Sequence, residues 1–263
     1  RPFVLTNGYL TSEWYDDGQG VSRVERTARS GVQIDITRQP DDPGQPRGKF
    51  VYFREGDGDL WSLGNAPIAG GEPTKLQRLS PTRLFLTRLK IVNLENRPRR
   101  ITVATLREWV VNETGAERRD AAYNALHVGT WFMKDPAAFI VQNRLLKTPH
   151  LRQSQRRMSH EVAFHAAGPG ETGDVRLIGY EDMKSRFFGM GTSADPDALT
   201  GRAPLREVSD DGLLYSFEPC GSLVYEVRVA PESAAEIVIV DGWAKSYAAA
   251  VDSIARHLNA DAP

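Results

Sequence analysis

The sequence predicts a large antiparallel β-sandwich, a mainly β fold that ends in one helix. Two observations favour this class: short runs of β-branched and aromatic residues, and turn-forming residues at intervals of about 8–12 positions between them. A third is that helical spacing of apolar residues begins only after Trp243. With 263 residues, the chain is long enough for one such domain with a sizeable core.

Composition excludes several classes of protein. The 33 basic and 34 acidic residues leave a net charge of −1, which argues against nucleic acid or an anionic membrane surface as partner. A single cysteine, Cys220, allows no internal disulfide, and no apolar run is long enough to span a membrane. The chain begins without methionine or a signal peptide, so we expect a processed or excised segment of a cytoplasmic protein.

Several short strands are predicted in the first 65 residues. Two of them, Phe3–Thr6 and 9–15, precede a third at 32–37, where apolar and polar residues alternate as in a half-buried strand. The fourth, Phe50–Phe53, has the composition of a strand buried on both faces, and Gly56-Asp57-Gly58 then returns the chain through 59–62 as a hairpin. Trp61 is either a core residue of this hairpin or an indole at the sheet rim that stacks on a sugar.

The middle of the chain continues the β pattern. Strands are expected at 84–94 and 101–111, with turn residues between them, and again at 127–133, 138–142 and 160–165. The polar stretch 112–123 is predicted to be a long loop, which on a β scaffold is often functional. The segment 136–160 is basic and contains no acidic residue, a pattern typical of a solvated face or an anion site.

The last third predicts a final hairpin and the helix. Leu223, Tyr225, Val227 and Val229 should face inward, with Glu226 and Arg228 outward, before a turn at 230–233 and a central strand at 236–240. Ser246 is the predicted N-cap of a helix that ends near Asn259. Its expected apolar stripe packs on the sandwich or on a missing domain, and consists of Ala248, Val251, Ile254, Ala255 and Leu258.

No catalytic, metal or cofactor site is predicted. The five histidines show no metal-ligand spacing, and His160 and His165 are expected on opposite faces of one strand. Gly18-Gln19-Gly20 lacks the remainder of a phosphate-binding loop. The adjacent aspartate pairs at 16–17, 41–42 and 210–211 suit turns better than acid/base catalysis.

Several short motifs, in order along nearly the whole chain, resemble the N-terminal β-sandwich of the cellobiose phosphorylase / cyclic β-1,2-glucan synthase family (glycosyltransferase family 36-like). They are Leu5-Thr6-Asn7-Gly8, Gly18-x-Gly20-x-Ser22-Arg23, Phe50-x-Tyr52, Leu60-Trp61-Ser62, Arg97-Pro98-Arg99-Arg100 leading to Glu108-Trp109, Arg186-Phe187-Phe188-Gly189, Asp195-Pro196-Asp197-Ala198-Leu199 and Glu218-Pro219-Cys220.

The resemblance implies a galactose mutarotase-like super-sandwich over residues 1–243. Residues 244–263 would then be a linker helix toward an (α/α)6-barrel that carries the catalytic carboxylate. The resemblance also implies that the parent protein is a glycosyltransferase or glycoside phosphorylase that acts on β-glucans. It is compatible with a parent tethered to a membrane and with a homodimer. Two features depart from the family: the stretch between Leu79 and Leu89 is short, and Glu117-Arg118 stands where relatives carry a Gln-Arg pair that contacts sugar in the neighbouring subunit.

Two functions are therefore expected as alternatives. In the first, the chain is a non-catalytic scaffold, interface and carbohydrate-contacting domain of a β-glucan-processing enzyme. In the second, it is a free-standing carbohydrate-binding module or a mutarotase-like epimerase. The candidate carbohydrate-binding residues are Arg118 and Arg119 on the long loop, with Trp61 and Trp14 as stacking surfaces for a β-glucan oligosaccharide.

Overall fold

A computed structural model describes residues 3–6, 9–14, 19–25, 33–39, 47–58, 60–62, 84–115, 119–147, 158–209 and 212–258. Its strands are β1 Phe3–Thr6, β2 Leu10–Trp14, β3 Gly20–Glu25, β4 Gln33–Thr37, β5 Lys49–Glu55, β6 Leu60–Ser62, β7 Leu84–Val92, β8 Arg99–Glu113, β9 Val128–Met133, β10 Ala138–Asn143, β11 Val162–Pro169, β12 Asp174–Met183, β13 Leu214–Tyr215, β14 Pro219–Val229 and β15 Ala234–Ala244. Its helices are α1 Ala121–Ala125, α2 Lys184–Phe188, α3 Asp197–Thr200 and α4 Tyr247–Leu258.

The strands form two antiparallel sheets, which confirms the predicted sandwich. The nine-stranded sheet has the order β1-β2-β3-β4-β8-β14-β12, with β5 paired to β3 and β8, and β6 paired to β5. The six-stranded sheet has the order β13-β9-β10-β11-β15-β7. The main core fills the space between them, with side chains such as Val103, Leu223, Phe139 and Ile239.

The predicted hairpin after Phe50 is confirmed. β5 is buried on both faces, and β6 returns along it with Phe53 opposite Trp61. Gly56 makes the turn with φ of 51°, a conformation that glycine adopts without strain. One face of β5 meets the sandwich core, while Phe50 and Tyr52 on the other face pack under α2 and α3.

The half-buried pattern predicted for β4 is wrong. Asp35 and Thr37 are buried, like Ile34 and Ile36, so both faces of β4 are covered. Thr37 accepts a hydrogen bond from the backbone N–H of Ser22 at 2.8 Å. Asp35 and Thr37 are therefore interior residues.

The predicted final hairpin is also wrong, because β14 and β15 belong to different sheets. The same holds for β7 and β8, so the chain passes from one sheet to the other both after β7 and after β14. The Asn93 side-chain amide joins the two crossovers by donating to the carbonyls of Arg97 and Ala230 at 2.7 and 2.9 Å. The backbone N–H of Asn93 also donates to the carbonyl of Ser233.

Burial along β14 matches most of the prediction, except at Glu226. The four apolar residues from Leu223 to Val229 face the core, and Arg228 is exposed. Glu226 was expected to face solvent but is 4% exposed. Arg100, Arg176 and Arg228 form ion pairs with its carboxylate and cover it.

The C-terminal helix α4 lies on the outer face of the six-stranded sheet. Ser246 is confirmed as its N-cap, because its hydroxyl accepts from the Ala249 N–H at 3.2 Å. The buried stripe differs from the predicted one: Ala250 and Ile254 are buried, whereas Ala248 is exposed. Val251 and Leu258 complete the contact with Val162, Phe164 and Val240 of the sheet.

Several predictions fall outside the described residues. These are the Asn7-Gly8 turn, the aspartate pairs at 16–17, 41–42 and 210–211, residues 79–83 of the shortened stretch between Leu79 and Leu89, the basic residues Arg152, Arg156 and Arg157, and the helix stop at Asn259. Over the part of the chain that the structure does describe, no helix is long and apolar enough to cross a membrane. That same part holds no group of three or more His, Cys, Asp or Glu residues placed to bind a metal ion.

Candidate functional site

A charged cluster lies in the middle of the sandwich, between the two sheets. Asp241 on β15 accepts from Arg107 Nε and Nη2 at 2.9 and 3.0 Å and from His165 Nδ1 at 2.8 Å. Lys49 Nζ lies 3.2 Å from Asp241 Oδ2 and donates a hydrogen bond to the Ser12 hydroxyl. β5 and β8 supply the two cations, while β11 and β15 supply the histidine and the carboxylate, so the cluster joins both sheets.

The hydrogen bonds fix the protonation of this cluster. Burial lowers the pKa of His165 to about 4, which makes the imidazole neutral at pH 7. The Nδ1–H then donates to Asp241, and Nε2 accepts from the Thr105 hydroxyl at 2.7 Å. Arg107 and Lys49 hold the pKa of Asp241 well below its usual range, and burial lowers the pKa of Lys49 to about 8.

This cluster has a structural role and is not a site of substrate chemistry. His165 is 0% exposed and its partners are buried, so no sugar reaches the imidazole. The prediction that His165 and His160 lie on opposite faces of one strand is wrong, because β11 begins at Val162 and His160 precedes it. His165 instead faces the inter-sheet core, where its two hydrogen bonds hold it in place.

An open pocket of about 460 Å³ lies at the sandwich rim, where β8 passes toward α1. Its lining combines three cations, three carboxylates and an exposed aromatic ring. The lining residues are Arg38, Gln39, Glu108, Trp109, Arg119, Asp120, Ala121, Ala122, Asn124, Ala125, Lys184, Phe217, Glu218 and Pro219. Because its formal charges balance, the pocket suits a neutral polar ligand better than an ion.

Glu108 and Trp109 are buried polar side chains at this pocket, each 4% exposed. Glu108 Oε2 accepts from Lys184 Nζ at 2.8 Å and lies 3.7 Å from an Arg38 nitrogen. Its other oxygen, Oε1, has no hydrogen-bond partner in the described part of the chain, and neither do Trp109 Nε1 and Gln39 Nε2. Unpaired buried groups of this kind are rare and often mark a site for water or a ligand.

A network of buried asparagines holds α1 against β8. Asn124 Nδ2 donates to the Val110 carbonyl at 3.1 Å, and its Oδ1 accepts from Asn112 and Asn143 at 2.7 and 2.9 Å. Next to this network, Val111 adopts φ of 49°, which is a strained conformation for a β-branched residue. The strain coincides with a bulge in the β4–β8 pairing.

The predicted long loop at 112–123 is therefore shorter than expected. Asn112 and Glu113 still belong to β8, and α1 begins at Ala121 behind the N-cap Asp120. Asp120 caps α1 by accepting from the Tyr123 N–H at 2.9 Å. These elements set the position of Arg119 at the pocket.

Of the four predicted carbohydrate-binding residues, the structure describes the side chains of Arg119 and Trp14, and these two do not share the pocket. Arg119 is exposed and lines the pocket, whereas Arg118 lies outside the described residues. Trp14 is half-buried against the core with Lys49 Nζ 4.4 Å from its ring, and it does not line the pocket. Trp61 lies in β6 opposite Phe53, and the structure describes its backbone alone.

Sequence reasoning missed Arg38, Lys184 and Phe217 of the pocket, and quoted Glu108-Trp109 only as a family motif. A signal existed at Glu108, because a carboxylate within the apolar strand β8 needs a buried partner. Lys49, Arg107 and Asp241 carry the same signal, since each adjoins a run of residues typical of buried strands. Arg38 and Phe217 carry no comparable signal, because their positions depend on how distant segments meet.

Comparison with known proteins identifies the domain family. The model of the glycosyl hydrolase 94 supersandwich domain matches residues 82–260. This segment contains the whole six-stranded sheet and strands β8, β12 and β14 of the larger sheet. No curated protein matches the chain. Because the matched segment covers most of the sequence and folds as the two-sheet sandwich described above, the chain belongs to the glycosyl hydrolase 94 family, as its supersandwich domain.

Proposed function

We propose that this chain is the non-catalytic supersandwich domain of a β-glucan-processing enzyme of the cellobiose phosphorylase or cyclic β-1,2-glucan synthase type. The family match supports a domain of this kind, and the motifs that resemble these enzymes support the finer assignment. The parent is a cytoplasmic glycosyltransferase or glycoside phosphorylase, or has its catalytic part on the cytoplasmic side of a membrane. The domain acts as scaffold, interface and carbohydrate contact.

The partners of the domain are an (α/α)6-barrel of the same parent chain and a β-glucan oligosaccharide. Residues 1–243 form the sandwich, and residues 244–263 lead toward the barrel. In support, α4 buries its apolar stripe on the six-stranded sheet and leaves Tyr247 and Ala248 exposed for a further contact. A homodimer is compatible with this arrangement.

Arg119 at the rim pocket is the observation that carries the carbohydrate contact. An exposed guanidinium donates to neutral hydroxyls in pairs, and an exposed phenyl ring lies on the same pocket at Phe217. The epimerase alternative lacks this support, because the His165–Asp241 pair is closed to a sugar. Arg118, Trp14 and Trp61 remain weaker candidates.

Two measurements test the proposal. The purified chain, incubated with inorganic phosphate and β-1,2- or β-1,4-glucan, should release no sugar phosphate. Titration with β-1,2- and β-1,4-gluco-oligosaccharides, measured by calorimetry and tryptophan fluorescence, should show weak binding. Arg119→Ala should weaken this binding, whereas the control Arg97→Ala should not, because Arg97 is exposed at the β7–β8 crossover. Phosphorolysis by the chain, or equal binding by both variants, would contradict the proposal.

A further inference from the structure

Three arginines gather around one buried carboxylate on the outer face of the nine-stranded sheet. Arg100 Nε lies 2.5 Å from Glu226 Oε2, while Arg228 Nη2 and Arg176 Nη2 lie 2.9 and 3.6 Å from Glu226 Oε1. We refer to Arg100, Arg176 and Arg228 as the arginine patch. Alternate residues of β14 fill the core between the sheets, so the patch faces away from that core. Because Arg100 and Glu108 are near opposite ends of β8, roughly 26 Å separates the patch from the rim pocket.

Glu226 satisfies only part of the hydrogen-bonding capacity of the arginine patch. Its side chain is 4% exposed, whereas those of Arg100, Arg176 and Arg228 are 70%, 68% and 60% exposed. A guanidinium group has five N–H donors, and the carboxylate is contacted by one or two nitrogens of each arginine. The remaining donors of three arginines therefore face water above a single carboxylate.

The strand register adds an unfavourable pair of like charges. Arg228 lies directly opposite Arg100 on β8, and Asp174 lies directly opposite Arg228 on β12. Like charges directly opposite each other in a sheet destabilise it. Arg54 of β5 lies in the same row of the sheet as Glu226, across β8. Four arginines then oppose two carboxylates on this part of the sheet, which leaves an excess of two positive charges.

This excess of positive charge selects a doubly charged oxyanion as ligand. A phosphate group carries a charge of about −1.5 to −2 at pH 7 and has three strong acceptor oxygens. Arginine recognises such oxygens with two parallel hydrogen bonds from its planar fork. A phosphate between Arg100 and Arg228 also compensates their mutual repulsion, which a neutral sugar cannot do.

We infer that the arginine patch binds a phosphate group on its solvent side, where the group bridges Arg100, Arg176 and Arg228. Glu226 lies beneath the patch and holds the three guanidinium groups close together. Inorganic phosphate, a small phosphomonoester and a phospholipid headgroup all present this chemistry. The inference goes beyond the proposed function and does not depend on it, because no sugar contact enters the argument.

The test is a calorimetric titration of the purified chain with inorganic phosphate and with methyl phosphate, at low ionic strength. Sodium chloride of equal ionic strength is the reference. A parallel ¹H–¹⁵N NMR titration follows the Nε–H signals of the arginines, and Arg228→Gln identifies the Arg228 signal. We expect phosphate to move this signal and chloride to leave it in place. Added salt should weaken phosphate binding, because the arginines are exposed and their charges are screened.

Two substitutions measure the contribution of the patch. Arg176→Gln and Arg228→Gln should each weaken phosphate binding about tenfold, because a charge-assisted hydrogen bond is lost. Arg88→Gln is the matched control: Arg88 is a partly exposed arginine that pairs with Glu171, but it lies on β7 of the other sheet. It should bind phosphate as the wild type does. Urea denaturation confirms that each variant is folded.

Cosedimentation with phosphatidylcholine vesicles, with and without phosphatidic acid, distinguishes a lipid headgroup from a soluble ligand. Binding to inorganic or methyl phosphate that Arg176→Gln and Arg228→Gln weaken supports the inference and identifies a soluble ligand. Binding only to vesicles with phosphatidic acid, weakened by the same substitutions, supports it and identifies a headgroup. No binding to any of these probes, or equal binding by wild type and both variants, overturns it. Neither result changes the outcome of the Arg119→Ala sugar titration, which tests the proposed function alone.

Discussion

Replacing Asp241 by asparagine tests whether the buried charged cluster holds the two sheets together. The carboxylate accepts from Arg107 and His165 and lies 3.2 Å from Lys49 Nζ. The substitution keeps the shape but leaves two buried cations without their counter-ion. Removing one partner of a buried ion pair typically costs about 3–5 kcal/mol, and we expect a loss of about 4 kcal/mol in the free energy of unfolding at pH 7.

The loss should depend on pH, through Lys49. Its folded pKa is lowered from 10.5 to about 8, so the unfolded chain binds more protons between these values and this lysine adds stability as pH rises through them. Without Asp241 the folded pKa of Lys49 falls further, so the pH range in which this lysine adds stability begins below pH 8. The deficit of Asp241→Asn should therefore shrink as pH rises toward 8. Adding Lys49→Met removes one uncompensated charge and should recover about 1–2 kcal/mol.

Urea denaturation followed by tryptophan fluorescence measures these free energies, since Trp243 is buried in the same core. Asp195→Asn is the matched control, because Asp195 is exposed and pairs only at the surface with Arg202; its stability should stay close to that of the wild type. A loss below about 1 kcal/mol for Asp241→Asn would refute the reasoning, because it would mean that the two cations do not need the carboxylate.

Three further predictions concern titration and packing. The folded pKa of His165 is about 4, below its ordinary 6.5, so stability should be lost as pH falls from 6.5 to 4, by up to about 3 kcal/mol; His165→Gln should flatten this slope in urea denaturation at stepped pH. Burial raises the pKa of Glu181 from 4.5 to about 7, so the wild type should lose stability as pH rises through this interval. Glu181→Gln should remove that slope and raise the unfolding free energy at pH 8 by about 1–2 kcal/mol, less than the full shift because Arg186 and Arg206 pair with the carboxylate near solvent. Ile254→Ala should cost about 2–4 kcal/mol by emptying the α4 contact, while the conservative control Ala248→Ser at the exposed position should change little.

Each of these has a contradicting result. An equal acid slope in wild type and His165→Gln would remove His165 as the titrating group. A Glu181→Gln variant less stable than the wild type at pH 8 would show that the ionised carboxylate is net favourable there. An Ile254→Ala variant as stable as Ala248→Ser would mean that α4 does not pack on the sheet.

Local patterns predicted the elements well. The run Phe50–Phe53, the N-cap Ser246 and the apolar side of β14 were all identified, because each depends on residues within one strand or one helical turn. The two-sheet architecture followed from the number and spacing of such runs. These features are set by local propensity and by the need to bury apolar faces.

Sheet membership and the pocket were much less predictable. A turn at 230–233 looks the same whether the next strand pairs back or crosses to the other sheet, and only the partners β7 and β8 decide this. Asp35 and Glu226 seemed exposed because their burial depends on neighbouring strands and on distant arginines. Of the two predicted site residues whose side chains the structure describes, Arg119 lines the pocket and Trp14 does not, and the sequence offers no local sign of Phe217 as a neighbour of Arg119.

Asn93 joins two crossovers whose residues lie 137 positions apart in the chain. β7 and β15 pair in one sheet, and β8 and β14 pair in the other. Because β7 leads directly into β8 and β14 leads directly into β15, the pairing in one sheet fixes the pairing in the other. Neither sheet can slip in register without pulling the other. Contacts of such long sequence separation form slowly, since the entropy of closing the intervening chain is lost first. We therefore expect the sandwich to assemble late and as one unit, with the Asn93 crossover closing both sheets together.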